Sequence, residues 1–233
     1  MAVAIVGYRT YPDANVSEQT KDLSSALNVL HITKPYLFYP PNKKYHGACI
    51  MGHSSGAHIA LLLLSDMIKS NPLSSSSMPS SNIPFHSFIG LSGPYCINSH
   101  FEYEAHRGVE QISPMAAACG HTPNNFILNS PHVQLYHFLS QYPNYVNTMP
   151  RLLFVHGMQD TTVPFTATAD AVRLLRSCGV KDMQELYLSK VNHTDAILQF
   201  MTGGKTCDRV IHWLQSNEDS TTTTNVFVDG SSL

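Results

Sequence analysis

Apolar residues fall along the chain in two alternating rhythms: short unbroken runs, and longer stretches with leucines three and four apart. Residues 3–8 (Val-Ala-Ile-Val-Gly-Tyr) form one such run, the pattern of a strand buried on both faces of a parallel sheet. Tyr11-Pro12-Asp13-Ala14-Asn15 breaks it, and a helix opens at Ser17, carrying Leu23, Leu27 and Leu30 on one side. Residues 34–44, rich in proline and tyrosine, read as a loop. A strand over 47–52 and a strongly apolar helix over 57–69 follow. Serines crowd 71–82 around Pro72 and Pro79, which predicts a mobile surface loop. Residues 85–91 form another buried strand, stopped by Ser92-Gly93-Pro94. Residues 95–150 show no clean period but many prolines, histidines and aromatics, as expected of a lid inserted over the strand ends. Residues 151–156 return to a core strand, leading into Gly157-Met158-Gln159-Asp160. The pattern then predicts a helix over 166–177 capped by Gly179, a last short strand over 185–188, and a helix over 195–216 interrupted at Gly203-Gly204. From Asn217 the chain is polar and predicted to be disordered.

Strands alternating with helices define an α/β chain with a mostly parallel sheet, built as a single domain over 1–216. In open sheets of this kind function gathers at the carboxyl ends of the strands. The stretch Gly52-His53-Ser54-Ser55-Gly56 occupies such an end, between a strand and a helix. In that context G-x-S-x-G reads as a nucleophile elbow, a sharp turn that lifts a serine hydroxyl off the sheet. The glycines are expected to leave room where no side chain would fit.

A serine hydroxyl needs a base to remove its proton, and the base needs a carboxylate to fix its tautomer. The α/β hydrolase fold places these in the order Ser, Asp or Glu, His. Here that order is met by Ser54, Asp160 and His193, each in the loop after a predicted strand. Ser54 read as a turn residue, and Asp160 read as a helix cap with Asp170 or Asp182 as the acid, stay open as alternatives. Of the 13 histidines, only His193 occupies the expected loop. Asp195 is read as the start of the last helix, not as a partner of His193. His100, His106, His121, His132 and His137 lack a tight zinc spacing, so no metal site is expected there.

Composition narrows the classes. With 14 basic and 16 acidic residues among 233, the chain has no charge excess that would favour nucleic acid or a membrane surface. Cys49, Cys96, Cys119, Cys178 and Cys207 are odd in number and widely spaced, which suits reduced thiols. No apolar run approaches bilayer length and no signal peptide pattern leads the chain, so as written it reads as soluble and cytoplasmic.

Beyond these motifs, Tyr8-Arg9-Thr10-Tyr11-Pro12 resembles the Y-R-x-x-P segment of carboxylesterase-like α/β hydrolases. Gly90-Leu91-Ser92-Gly93-Pro94-Tyr95, the stretch from Phe101 through Gly108 to Met115, and His193-Thr194-Asp195 with Gly203-Gly204-Lys205 together resemble the isoprenylcysteine α-carbonyl methylesterase group. The resemblance runs from about residue 3 to 215. It implies hydrolysis of a methyl ester on a prenylated cysteine, with Ser54 as nucleophile, His193 as base, Asp160 as orienting carboxylate and the Ser55 N–H as an oxyanion donor. It implies no metal or organic cofactor, a small-molecule or prenylated-peptide ester as substrate, and a lid wall of Phe101, Tyr103, Phe126, Leu135, Tyr136 and Phe138, unless these are simply lid core.

The group's second oxyanion donor comes from an H-G-G loop upstream of the Y-R-x-x-P strand, and no H-G-G occurs in this sequence. The chain is therefore expected to lack the first strands of the fold, leaving 3–8 poorly paired or re-paired with 47–52 beside an exposed edge. Members of the group also carry membrane-spanning segments, which for a complete protein implies the endoplasmic reticulum or Golgi membrane. Two alternatives remain: another small-ester or formamide hydrolase of the kynurenine formamidase kind, and an impaired homologue that only binds prenylated ligands.

Overall fold

The computed structural model describes residues 2–39, 47–70 and 83–216, and the backbone of 226–228. The serine-rich stretch 71–82 lies outside the described residues, as does the polar tail from 217 except for 226–228.

Helix α1 (Val16–Thr33) opens one residue earlier than the leucine spacing suggested, because Asn15 caps it. The Asn15 side chain accepts from the Glu18 N–H at 3.0 Å, and the Glu18 carboxylate accepts from the Asn15 N–H at 2.9 Å. This reciprocal box satisfies two orphan donors of the first turn. Strand β1 (Ala48–His53) runs into α2 (Ser55–Ser70), and β2 (Phe85–Leu91) follows. Four helices separate β2 from β3 (Arg151–Gly157): α3 (Ile97–His106), α4 (Pro114–Cys119), α5 (Pro123–Leu128) and α6 (Pro131–Gln141). Then come α7 (Thr166–Ser177), β4 (Met183–Leu188), α8 (His193–Thr202), α9 (Lys205–Gln215) and β5 (Val226–Val228).

The five strands form one parallel sheet in the order β1-β2-β3-β4-β5. Register aligns their carboxyl ends: His53 lies opposite Leu91, Leu91 opposite Val155, and Val155 opposite Leu186. Alternation along β3 divides the core between the two faces. Leu152 and Phe154 pack with Phe88, Leu61, Leu135 and Leu175, while Leu153 and Val155 pack with Ile89, Leu188, Val210 and Trp213. Helices therefore cover both faces, as parallel sheets require.

Three expectations are corrected. Residues 3–8 form no strand; Val3 and Ile5 are 76% and 96% exposed, so an apolar run here lacks a neighbour to pair with. Among the described residues β1 is consequently an edge. At the other edge, Val226–Val228 adds a strand beside β4 within the stretch read as disordered. The segment read as a lid is partly core, since Leu135 and Leu139 of α6 are fully buried. The break at Gly203-Gly204 is real: Gly203 ends α8 in the left-handed region at φ 84°, and Gly204 caps α9.

Candidate active site

Ser54 sits between β1 and α2 with φ 53°, taking the chain from strand end to helix start in a single residue. A non-glycine residue held at positive φ stores backbone strain, and such positions cluster at functional sites. The Ser54 N–H donates to the Leu91 carbonyl at 2.9 Å, tying the elbow to the end of β2. Gly52 is required by contact: a Cβ there would run into the backbone of Gly56 and lie 2.5 Å from the Ala57 nitrogen. Gly56 is different, since a Cβ there would meet only the Tyr8 hydroxyl at 3.9 Å. The expectation that both glycines are sterically demanded holds for the first alone.

Asp160 and His193 come from the loops after β3 and β4, and the structure brings them together. Gly157 allows this, because a Cβ there would strike the Val191 carbonyl. With that clearance the Met158 N–H reaches Leu188 at 2.9 Å and the Gln159 N–H reaches Val191 at 3.0 Å, binding the two loops into one unit. His193 is the first residue of α8, whose start is held by a second capping box between Asn192 and Asp195. Asp195 is thus engaged as a cap.

The His193 Nδ1–H donates to Asp160 Oδ2 at 2.7 Å. Asp160 Oδ1 accepts from the N–H groups of Thr162 and Val163, each at 2.9 Å. Burial pushes this carboxyl up, but the hydrogen bonds from His156, His193 and Val163 outweigh it and hold it well below the usual carboxylate range. The carboxylate is therefore ionised, which makes Nδ1 the protonated nitrogen and leaves Nε2 as the basic one. The rival acids are engaged on the surface, Asp170 with Arg173 and Asp182 with Arg151. Among the described residues none hydrogen-bonds the Ser54 hydroxyl; such contacts often tighten only with substrate bound.

Two histidines belong to the site without any motif to announce them. His156, fully buried at the end of β3, donates from Nε2 to the Val163 carbonyl at 2.9 Å and lies 3.3 Å from Asp160 Oδ2. Its Nδ1 accepts from the Thr168 hydroxyl at 2.8 Å. His53 donates from Nε2 to the His193 carbonyl at 2.9 Å, and the two rings lie 4.7 Å apart. Burial disfavours the charged form of His53 and pushes its pKa below the usual histidine value. Its place next to Ser54 was visible in the sequence; the bond to His193, 140 residues on, was not.

Ser55 is the first residue of α2, so its N–H lies outside the helix's own ladder. Of the six residues considered for a lid wall, Phe126 and Leu135 are buried in the core and Phe101 packs on Phe126. Tyr103 instead donates to the Thr161 carbonyl at 2.9 Å, joining α3 to the Asp160 loop. Of the histidines weighed for a metal site, His132 bonds to the Tyr95 carbonyl and His106 to the Glu102 carbonyl, and His100 lies beside Glu104.

The BD-FAE family profile matches residues 1–175. A rice (Oryza sativa subsp. japonica) protein named "Probable isoprenylcysteine alpha-carbonyl methylesterase ICME" is 28% identical over 84% of this chain and 45% of its own. An Arabidopsis thaliana protein of the same description is 27% identical over 87% of this chain and 41% of its own. The chain thus spans less than half the length of these relatives. Among solved structures, an acetyl ester-xyloside bifunctional hydrolase from Caldicellulosiruptor lactoaceticus superposes with a TM-score of 0.62 at 16% identity, over 90% of this chain and 69% of that one. A bifunctional GH43-CE protein from Bacteroides eggerthii gives 0.61 at 19% identity, over 91% and 28%. At such identities the likeness is one of fold, and the fold is that of the α/β hydrolases. Among the described residues no helix is long and apolar enough to cross a membrane.

Proposed function

The chain belongs to the BD-FAE family, and from that premise we propose that it is a carboxylic ester hydrolase with Ser54 as nucleophile, His193 as general base and Asp160 as orienting carboxylate. One observation carries the reading: the strained Ser54 turn shares a sheet edge with a buried, ionised Asp160 that holds His193 at 2.7 Å. In the reaction, Ser54 Oγ bonds to the ester carbonyl carbon while its proton passes to His193 Nε2 and the carbonyl π pair moves onto oxygen. The Ser55 N–H, at the positive end of α2, meets that developing charge. Collapse expels the alkoxide, which takes the proton from His193 and leaves as alcohol. Water, deprotonated by the same nitrogen, then releases the carboxylic acid and restores Ser54.

The finer proposal is that the ester is the methyl ester of a prenylated cysteine, so that the products are the free carboxylate and methanol. The names of the plant relatives support it, as do the segments around Phe101–Met115 and His193–Lys205. A prenylated peptide substrate would bring the chain to a membrane surface through the substrate itself.

The test is labelling and turnover. A fluorophosphonate probe is expected to modify wild-type protein at Ser54 and to leave Ser54→Ala untouched. Asp160→Asn, which removes the acceptor that sets the His193 tautomer, is expected to lower kcat on the order of 10⁴-fold. A panel of prenylcysteine methyl ester, p-nitrophenyl acetate and N-formylkynurenine decides the substrate class. An unlabelled Ser54 with no ester cleaved would sink the reading.

A further inference from the structure

A tetrahedral intermediate on Ser54 needs more than one donor aimed at its oxygen, and in this fold the Ser55 N–H is normally joined by a second N–H from a Gly-rich loop. The structure places a polar hydrogen at the elbow. Tyr8 reaches over the first turn of α2, its hydroxyl 3.0 Å from Ser55 Oγ and 3.9 Å from where a Cβ on Gly56 would stand. The absence of a side chain at Gly56 keeps that approach open.

Tyr8 belongs to the stretch that forms no strand, yet it is not loosely held. Its neighbour Arg9 is clamped onto α1 through Asp22: the Arg9 N–H donates to Oδ2 at 3.1 Å, Nε to Oδ2 at 2.9 Å and Nη2 to Oδ1 at 2.8 Å. A bidentate fork with an added backbone bond fixes direction as well as distance. Val6 and Tyr8 also pack against the core cluster that contains Leu61 and Phe88. A hydroxyl both donates and accepts. When the Ser55 hydroxyl donates to the phenol oxygen, the phenol hydrogen is free to turn towards Ser54.

We propose that Tyr8 is a catalytic residue, its phenol O–H acting with the Ser55 N–H as the second oxyanion donor. The assignment rests on the esterase reading above. As Ser54 Oγ adds to the carbonyl carbon and the π pair moves to oxygen, the phenol hydrogen-bonds that oxygen without giving up its proton. When the carbonyl re-forms and the alkoxide leaves, the bond weakens again. Tyr8 thus stabilises the transition state more than the bound ester.

Tyr8→Phe tests this in the full chain with p-nitrophenyl acetate as substrate. Removing one oxyanion donor is expected to lower kcat by about 10²–10³-fold, with KM within threefold of wild type. The inhibition constant of an aryl trifluoromethyl ketone, whose adduct with Ser54 carries the same oxyanion, is expected to rise by a similar factor. The ratio of that constant to KM decides the matter even if the variant is partly unfolded, because lost protein alters neither quantity in the molecules that remain. A Tyr8→Phe protein with kcat and this ratio within threefold of wild type overturns the proposal while leaving the esterase reading intact. Failure of wild-type protein to cleave ester or to label at Ser54 overturns the reading itself, and this assignment with it.

Discussion

The two glycines of the elbow are not equivalent, and the difference is measurable. Gly52 faces backbone of the next turn, which has no flexible end to move aside, so the collision of an added Cβ must be relieved by shifting the elbow. Gly56 faces open space and the Tyr8 hydroxyl at van der Waals distance. Gly52→Ala is therefore expected to lower the melting temperature by several degrees and abolish fluorophosphonate labelling of Ser54, the result of roughly 1–3 kcal/mol of overpacking in a rigid turn. Gly56→Ala is expected to melt within about 2 °C of wild type, since substitutions away from such collisions stay near ±0.5 kcal/mol. A thermal melt with labelling in parallel checks both. The same scale favours Asp160 as the proposed acid. Three N–H groups donate to its two oxygens, from Thr162, Val163 and His193, with His156 Nε2 3.3 Å away, whereas Asp170 and Asp182 each meet one arginine at the surface.

At the scale of elements, α2 organises the molecule. Its residues from Ala57 to Ser65 are all buried, so it is a core helix walled in by β1, α1 and α6, with no solvent face in that stretch. His58 is the polar exception. Its Nε2–H donates to the Asn129 carbonyl at 2.6 Å, fastening α2 to the end of α5. Burial lowers its pKa to about 4, and the nearby His100 and His132 add repulsion. The unfolded chain binds this proton below about pH 6.5, while the folded protein resists it until about 4. Stability is thus full above the upper value and falls as the pH drops through the window, by up to about 1.4 kcal/mol per pH unit. His58→Gln keeps an N–H for Asn129 and removes the titration. Urea unfolding between pH 7 and pH 4 is expected to show a shallower acid decline in this variant than in wild type. Parallel slopes would mean that His58 does not titrate in that range.

For the whole molecule, stability follows the sheet order. β2 and β3 are paired on both sides and covered on both faces, and Phe88, Ile89, Leu152 and Phe154 are essentially inaccessible. At one margin β1 has no outer neighbour among the described residues, and residues 2–8 carry no ladder bonds. Opening energies range from near zero at such margins to the global value in the core. Hydrogen exchange read by mass spectrometry is expected to show the slowest amides in β2 and β3 and unprotected amides at 2–8. The Arg9 amide, bonded to Asp22, marks where protection begins. Slow exchange across 3–8 would show that this segment is paired in solution.

The sequence by itself determined whatever depends on local chemistry. The strands read from 47, 85, 151 and 185, the elbow, the order Ser54, Asp160, His193, and the helix break at Gly203-Gly204 all follow from side chains acting on their own backbone. The capping box of Asn15 and Glu18 is just as local, although the leucine spacing alone places the helix start at Ser17. Tertiary structure decided the rest. An apolar run states a wish for burial but not whether a partner strand exists, so 3–8 reads as a buried strand, while Val3 and Ile5 lie exposed and only Val6 and Tyr8 pack against the core. Short proline-led helices such as α4 and α5, six residues each, are too brief to show a period, so the segment at 95–150 reads as a lid with no clean period. The imidazole of His156 beneath Asp160, the His53 bond to His193, and the Tyr8 hydroxyl over Ser55 join residues far apart in the chain or turned by the fold onto a common point. Hydrogen bonds are short and directional, whereas sequence spacing carries distance along the chain only. The residues able to do the chemistry were therefore visible first, and their contacts only once the strand ends were aligned.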